Sequence, residues 1–130
     1  MKDFENKIQS HLEERGWDGL RPSDVAKSIM IEGAELLEVF QWDNESPEEV
    51  RANAEKMTSI RKELADVMIY CFDMAVILGI DVETMLKEKL KQVSEKYPTD
   101  IFNREVQGAN PGTEDQYRKI KEAYRREGKN

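Results

Sequence analysis

Four carboxylates stand at positions where a helix would be expected to carry its apolar side. Taken at about 100° per residue, Val25, Ile29, Leu36, Val39 and Phe40 form one stripe, with Glu32 inside it and Glu35 at its edge. Further along, Ile60, Val67, Tyr70, Met74 and Leu78 form a second stripe, with Glu63 inside it and Asp66 at its edge. Each pair is spaced i, i+3, so its two side chains lie one helical turn apart on one face. Burying ionised carboxylates is costly unless they are paired. Two such pairs facing each other make an acidic cup, and a divalent cation relieves both the repulsion and the desolvation. Mg²⁺ suits such a site, because it takes carboxylate oxygens and keeps waters or phosphates in its remaining positions. A lone ExxE is common on a solvated face of an acidic chain; two acid pairs on two apolar stripes are a more selective pattern. A di-iron carboxylate bundle needs two Glu-x-x-His motifs, and the single histidine, His11, belongs to neither pair.

The elements that must hold these acids read as helices. Residues 2–15 carry Phe4, Ile8, His11 and Leu12 on one side, and Gly16 ends the pattern. A second helix is expected from Ser23–Asp24, good cap residues, to about Trp42. Ser46-Pro47-Glu48-Glu49 combines an N-cap serine, a proline at N1 and a glutamate at N3. Helical pattern then runs to Gly79, in a short piece followed by a long one. Asp81 is expected to cap a further helix ending before Tyr97–Pro98. Residues 99–112 read as loop, and Thr113-x-x-Gln116 as a second capping box opening a charged helix with Tyr117, Ile120 and Tyr124 on one side. No segment alternates as a strand would, so the fold class is all-α: four main helices and a C-terminal helical appendage.

Composition narrows the function. The 130 residues fit one compact domain. A mean hydropathy of -0.76 implies a thin core, suited to helices with one buried stripe or completed by a partner subunit. With 20 Lys+Arg against 27 Asp+Glu the net charge is -7, which repels a nucleic-acid polymer. The single cysteine, Cys71, excludes an internal disulfide and a cysteine-rich zinc site, and its apolar neighbours predict an inert core thiol. No apolar leader is visible at the N-terminus, and the apolar run Val67 to Ile80 is too short to span a membrane; a cytoplasmic protein without a membrane partner is expected. That run is apolar almost all round, which predicts burial on two sides in an oligomer. Asp73 interrupts it, as a further acid behind the site or a polar contact between subunits.

Ile31-Glu32-Gly33-Ala34-Glu35-Leu36-Leu37-Glu38-Val39-Phe40-Gln41-Trp42 is similar to the first signature of the MazG-like nucleotide pyrophosphohydrolases. Glu63-Leu64-Ala65-Asp66-Val67-Met68-Ile69-Tyr70 resembles the second, and Lys89-Leu90 with Lys96-Tyr97-Pro98 the third. The resemblance covers about residues 17–98. It implies a four-helix-bundle-like MazG fold completed by oligomerisation, as a homodimer or homotetramer. Residues 1–98 would be the catalytic domain, and residues 99–130 a C-terminal loop and short helix packed on it or on a partner subunit. The implied activity is Mg²⁺-dependent hydrolysis of a nucleoside triphosphate, a dNTP above all, to the monophosphate and pyrophosphate, as nucleotide-pool housecleaning. By motif position Glu32, Glu35, Glu63 and Asp66 would be the metal ligands, one of them or Glu38 the general base, Lys89 a phosphate contact, and Trp42 and Tyr70 neighbours of the nucleotide. The chain departs from many members at Gln92 and Val93, which replace a Lys-Asn pair, and at Arg21, where the dCTP-cleaving branch has a histidine. The competing readings are a dUTPase or a phosphoribosyl-ATP pyrophosphohydrolase of the same superfamily, and a non-catalytic helical interaction or regulatory protein. The intact acid set favours the enzyme.

Overall fold

The computed structural model describes residues 1–103 and 112–129, with the side chains of 112–115 left aside. Thr113 of the expected second capping box therefore lies outside the described side chains. Among the described residues the chain is all-α, with six helices and no strand. They are α1 (Lys2–Glu13), α2 (Pro22–Glu38), α3 (Pro47–Ala52), α4 (Ala54–Ile77), α5 (Val82–Lys96) and α6 (Gly112–Arg126). The chain divides into two compact units, Met1–Glu83 and Thr84–Asn130.

Local chemistry sets the helix ends. Gly16 and Gly79 take positive φ, both 65°, where α1 and α4 run out, a conformation that costs a residue without Cβ least. The start of α2 differs from expectation. Its N-cap is Arg21, extended at φ -74° and ψ 131°, with no side-chain cap bond, and Pro22 opens the first turn. A proline pre-sets helical φ and lacks the N–H that would go unpaired there, so Ser23 and Asp24 fall inside the helix. Asp24 pairs with Lys27 at 3.1 Å instead. The end of α2 also comes early. The Phe40 N–H bonds Leu37 O at 3.0 Å and the Gln41 N–H bonds Glu38 O at 3.2 Å, so i to i−3 bonding tightens the chain into turns although the apolar pattern continues.

The connector after α2 is pinned by one cation. Lys56 Nζ lies 2.8 Å from both Asp43 and Glu45, with its side chain only 8% exposed. It also stands 5.3 Å from the Phe40 ring centre. The Ser46 capping box forms in both directions, with the Glu49 N–H donating to Ser46 Oγ and the Ser46 N–H to the Glu49 carboxylate. The short-then-long division occurs at Asn53, whose Oδ1 accepts the Lys56 N–H at 3.0 Å and starts α4.

In the first unit α4 packs chiefly along α2, and also against α1 and α3. The core is thin. Ile8 and Leu12 of α1 meet Phe72 and Ala75 of α4 and Val82, and Phe4 sets its ring edge-on to Phe72 at 5.0 Å. This side of α4 also buries Asp73, one of whose carboxylate oxygens has no hydrogen-bond partner. Asp73 thus lies inside the subunit, within electrostatic reach of His11, not between subunits. Cys71, expected in the core, is exposed. One residue along a helix turns a side chain by about 100°, and α1 covers the Asp73 side.

Burial raises the Asp73 carboxyl above its ordinary value, partly opposed by His11. A raised folded value means that the buried charge costs stability once the pH exceeds it, and that the cost disappears as the group protonates. Asp73→Asn is therefore expected to melt above the parent at pH 7. The gain should shrink as pH falls toward the ordinary aspartate range. Equal or lower melting at neutral pH would contradict a buried, uncompensated charge.

Candidate metal centre

The site begins as an alignment problem between α2 and α4. Glu32 projects from the middle of α2, and Glu63 and Asp66 stand one turn apart on α4. Each offers one carboxylate oxygen, and the three oxygens lie within 4.8 Å of one another. All three residues are half-buried. Unit charges so close repel by several kcal/mol at the dielectric of a protein surface, and the stabilised states are those in which protons or cations intervene.

One such cation comes from the chain itself. Lys62 Nζ lies 2.8 Å from the Glu63 carboxylate. Its ammonium is raised above the ordinary lysine value, first by that hydrogen bond and the Glu63 charge, with Asp66 and Glu35 adding to them. The Lys62 side chain is itself 68% exposed, so this is a solvated neutraliser and a weak one. The other Glu63 oxygen is buried without a hydrogen-bond partner. Three close carboxylates, one of them with a buried unpartnered oxygen, offer the hard oxygen donors that a divalent cation takes.

Glu35 stands outside this close group but feels it. Its carboxyl is pushed above the ordinary glutamate value, chiefly by the charge of Glu32, then by burial and by Glu63, while Lys62 opposes the shift. Glu35 itself is exposed. Glu38 closes α2 and is exposed as well. Tyr70 is half-buried on α4, one turn beyond Asp66, whereas Trp42 lies on the connector with 86% of its surface exposed. Lys89 belongs to α5 in the second unit, where it lines a cavity with Tyr97 and Tyr124.

The structure thus brings together Glu32, Glu63 and Asp66, sets Glu35 within electrostatic reach of them, and leaves Glu38 and Trp42 on the surface. Lys62 escapes a reading by helical spacing, because residues i and i+1 do not share a face. Only the length and flexibility of the lysine stem carry its ammonium back to Glu63.

Among solved structures, the chain is similar to a pyrophosphatase from Archaeoglobus fulgidus, with a TM-score of 0.65 and 34% sequence identity, over 75% of this chain and 92% of that one. No curated protein matches the sequence. The sequence pattern of the MazG-like family matches residues 27–108, a segment that contains all four acids, most of α2 and the whole of α4. By that match over more than half its length, the chain belongs to the MazG-like family.

Proposed function

We propose that this protein hydrolyses a nucleoside triphosphate, a deoxynucleotide above all, to the monophosphate and pyrophosphate with the help of Mg²⁺, as a cytoplasmic cleanser of the nucleotide pool. The observation that carries the reading is the convergence of Glu32, Glu63 and Asp66 within 4.8 Å, in a chain whose family and whose structural relative point to pyrophosphohydrolysis. Glu32, Glu63 and Asp66 would hold the metal, with Glu35 beside them as a fourth donor. When bound, the ion supplies the positive charge that admits a polyanion to an acidic site and polarises the phosphorus that water attacks.

The remaining work falls to the chain. One of the four acids, or Glu38 one turn beyond Glu35, takes the proton of the attacking water. Lys62 holds the Glu63 charge until substrate arrives, and its exposed stem lets the ammonium move away. Lys89 is assigned to phosphate oxygens, and Tyr70 and Trp42 to the nucleoside, by motif position. No helix among the described residues is long and apolar enough to cross a membrane. Exposed apolar residues support the reading of a subunit interface. Leu64, Met68 and Cys71 follow one another along one side of α4, and Met30, Ile31 and Leu37 stand out from α2. Apolar surface on this scale is covered in stable proteins, and a second copy of the chain is the proposed cover, giving a dimer or a tetramer.

A pyrophosphate-release screen across normal and modified ribo- and deoxyribonucleoside triphosphates tests the activity. Release from one or a few of them with Mg²⁺, and none with EDTA, is expected. Glu63→Gln should lower turnover roughly a hundredfold or more, since even residues behind metal ligands cost ten to a hundredfold. Parental turnover by this variant would remove Glu63 from the site.

Metal binding has a separate readout. Millimolar Mg²⁺ should raise the melting temperature of the parent, because a ligand of the folded state alone stabilises it, and should leave Glu63→Gln unmoved. The shift should fade on acidification, as carboxylates must lose their protons to bind metal and Glu35 gains its proton at a higher pH than an isolated glutamate. An identical shift in the parent and in Glu63→Gln would place Mg²⁺ elsewhere.

A further inference from the structure

Among the described residues, Lys62 is the one basic side chain that pairs with any of the four acids. Its Nζ donates to Glu63 Oε1 at 2.8 Å. The two residues are neighbours in sequence, and adjacent residues on a helix do not share a face. The lysine stem therefore curls around α4 to reach the carboxylate and gives up its freedom to extend into water. Charge holds it there. The ammonium feels Asp66 and Glu35 as well as Glu63.

The two partners differ in burial. The Glu63 side chain is 13% exposed and that of Lys62 68%. One Glu63 oxygen has the ammonium, and the other, Oε2, is buried without a partner. A single positive charge thus offsets part of a cluster in which Glu32, Glu63 and Asp66 present oxygens within 4.8 Å of one another. A divalent cation on these oxygens would add two positive charges close to the ammonium, and like charges at such range repel. The exposed stem gives the ammonium a way out. A triphosphate on the same cation brings anionic oxygens to the site, and a lysine on its flexible stem binds phosphate as a point charge.

We propose that Lys62 is an exchangeable counterion of the acid cluster: it competes with the divalent cation for Glu63 and, once displaced, pairs with a phosphate oxygen of the nucleotide. The proposal rests on the metal-dependent reading of the site. Lys62 thereby weakens the binding of metal alone and strengthens the binding of metal and nucleotide together, which couples the two ligands reciprocally.

Two titrations at one pH test this. Mn²⁺ is the metal probe, since it takes the same oxygen ligands as Mg²⁺ and its free ion is read by electron paramagnetic resonance. Lys62→Met keeps a long stem and removes the charge. It should bind Mn²⁺ roughly three- to fivefold more tightly than the parent, the scale of an exposed ion pair. The nucleotide probes are the α,β-imido analogues of the common deoxynucleoside triphosphates, whose nitrogen bridge resists cleavage, titrated calorimetrically in saturating Mg²⁺. Those that the parent binds should bind Lys62→Met roughly tenfold more weakly, the scale of a hydrogen bond between charged groups. Opposite signs for the two ligands mark the exchange, because a lysine that only supported the fold would move both in one direction. Lys62→Arg, which restores the charge, should return both affinities toward the parent's. Arg61 is the exposed neighbour and pairs with none of the acids among the described residues. Arg61→Met removes the same charge and should change Mn²⁺ affinity by less than about twofold.

Equal Mn²⁺ affinity in the parent and Lys62→Met would overturn the competition, and equal analogue affinity would overturn the transfer to phosphate. Tightening of Mn²⁺ by Arg61→Met as large as that by Lys62→Met would reduce the effect to overall charge and overturn the exchange. Each of these results leaves the hydrolase reading standing as long as the parent binds Mn²⁺ and Glu63→Gln does not. A parent that binds no Mn²⁺, or binds it only as Glu63→Gln does, would remove the metal reading and this proposal with it. No binding of any analogue by the parent would exclude the transfer to phosphate.

Discussion

Like charges brought together at the seam of two helices constrain this protein more than any other feature. Glu32, Glu63 and Asp66 present oxygens within 4.8 Å of one another, and such a cluster opposes the packing that creates it. The seam therefore has to be held by other means. The Ser46 box and the Asn53 cap fix where α3 and α4 begin, and Lys56 ties the connector down through Asp43 and Glu45. The residual repulsion shows in the raised carboxyl of Glu35 and in the turn of Lys62 back toward Glu63. Neither partner closes the account, because the second oxygen of Glu63 stays unpartnered. A cluster that its own fold leaves unneutralised is prepared for a cation from outside.

The apolar side of the first unit is correspondingly spare. Its buried cluster gathers Ile8, Leu12, Phe72, Ala75 and Val82 where α1 meets α4. Elsewhere α4 has α2 on one side and carries Leu64 and Met68 uncovered on another. Even the α1 side admits acids, since Glu5 and Asp73 are both buried with an oxygen unpartnered. Lys2 offsets Glu5 at 3.1 Å, whereas His11 only partly offsets Asp73. A small core that already accommodates such groups has little stability to spare. The apolar residues left uncovered on α2 and α4 are burial that the single chain does not make.

Much of this was legible before any coordinates. The acids were, because a carboxylate breaks an apolar stripe wherever it enters one. The Ser46 box was, because it needs only residues within one turn. The start of α2 misled, since Ser23 and Asp24 resemble caps until Pro22 is weighed; the proline ring sets φ for its own position and moves the cap back to Arg21. The end of α2 misled in the other direction, as Val39 and Phe40 keep the period while their backbone changes its bonding. Cys71 and Asp73 exchanged places relative to hydropathy, and only the position of α1 decides which side of α4 is covered. Lys62 could not be read from spacing at all. Nor could the tyrosine cavity, since Tyr97, Tyr117 and Tyr124 are close only after the chain has turned back on itself.

That cavity bears on the place where the chain departs from the family it resembles. Gln92 and Val93 stand where many members carry a lysine and an asparagine, and both line the cavity. A valine offers no hydrogen bond, so whatever polar contact an asparagine makes there is lost from α5. Other polar groups stand around the same cavity: the Tyr97 hydroxyl, the Lys96 ammonium, and the Lys129 ammonium, which pairs with Glu127 at 3.0 Å. Rings also differ from an amide in what they select. An amide reads the hydrogen-bonding edge of a base and so separates one base from another, whereas a ring stacks on any base because every base has a π face.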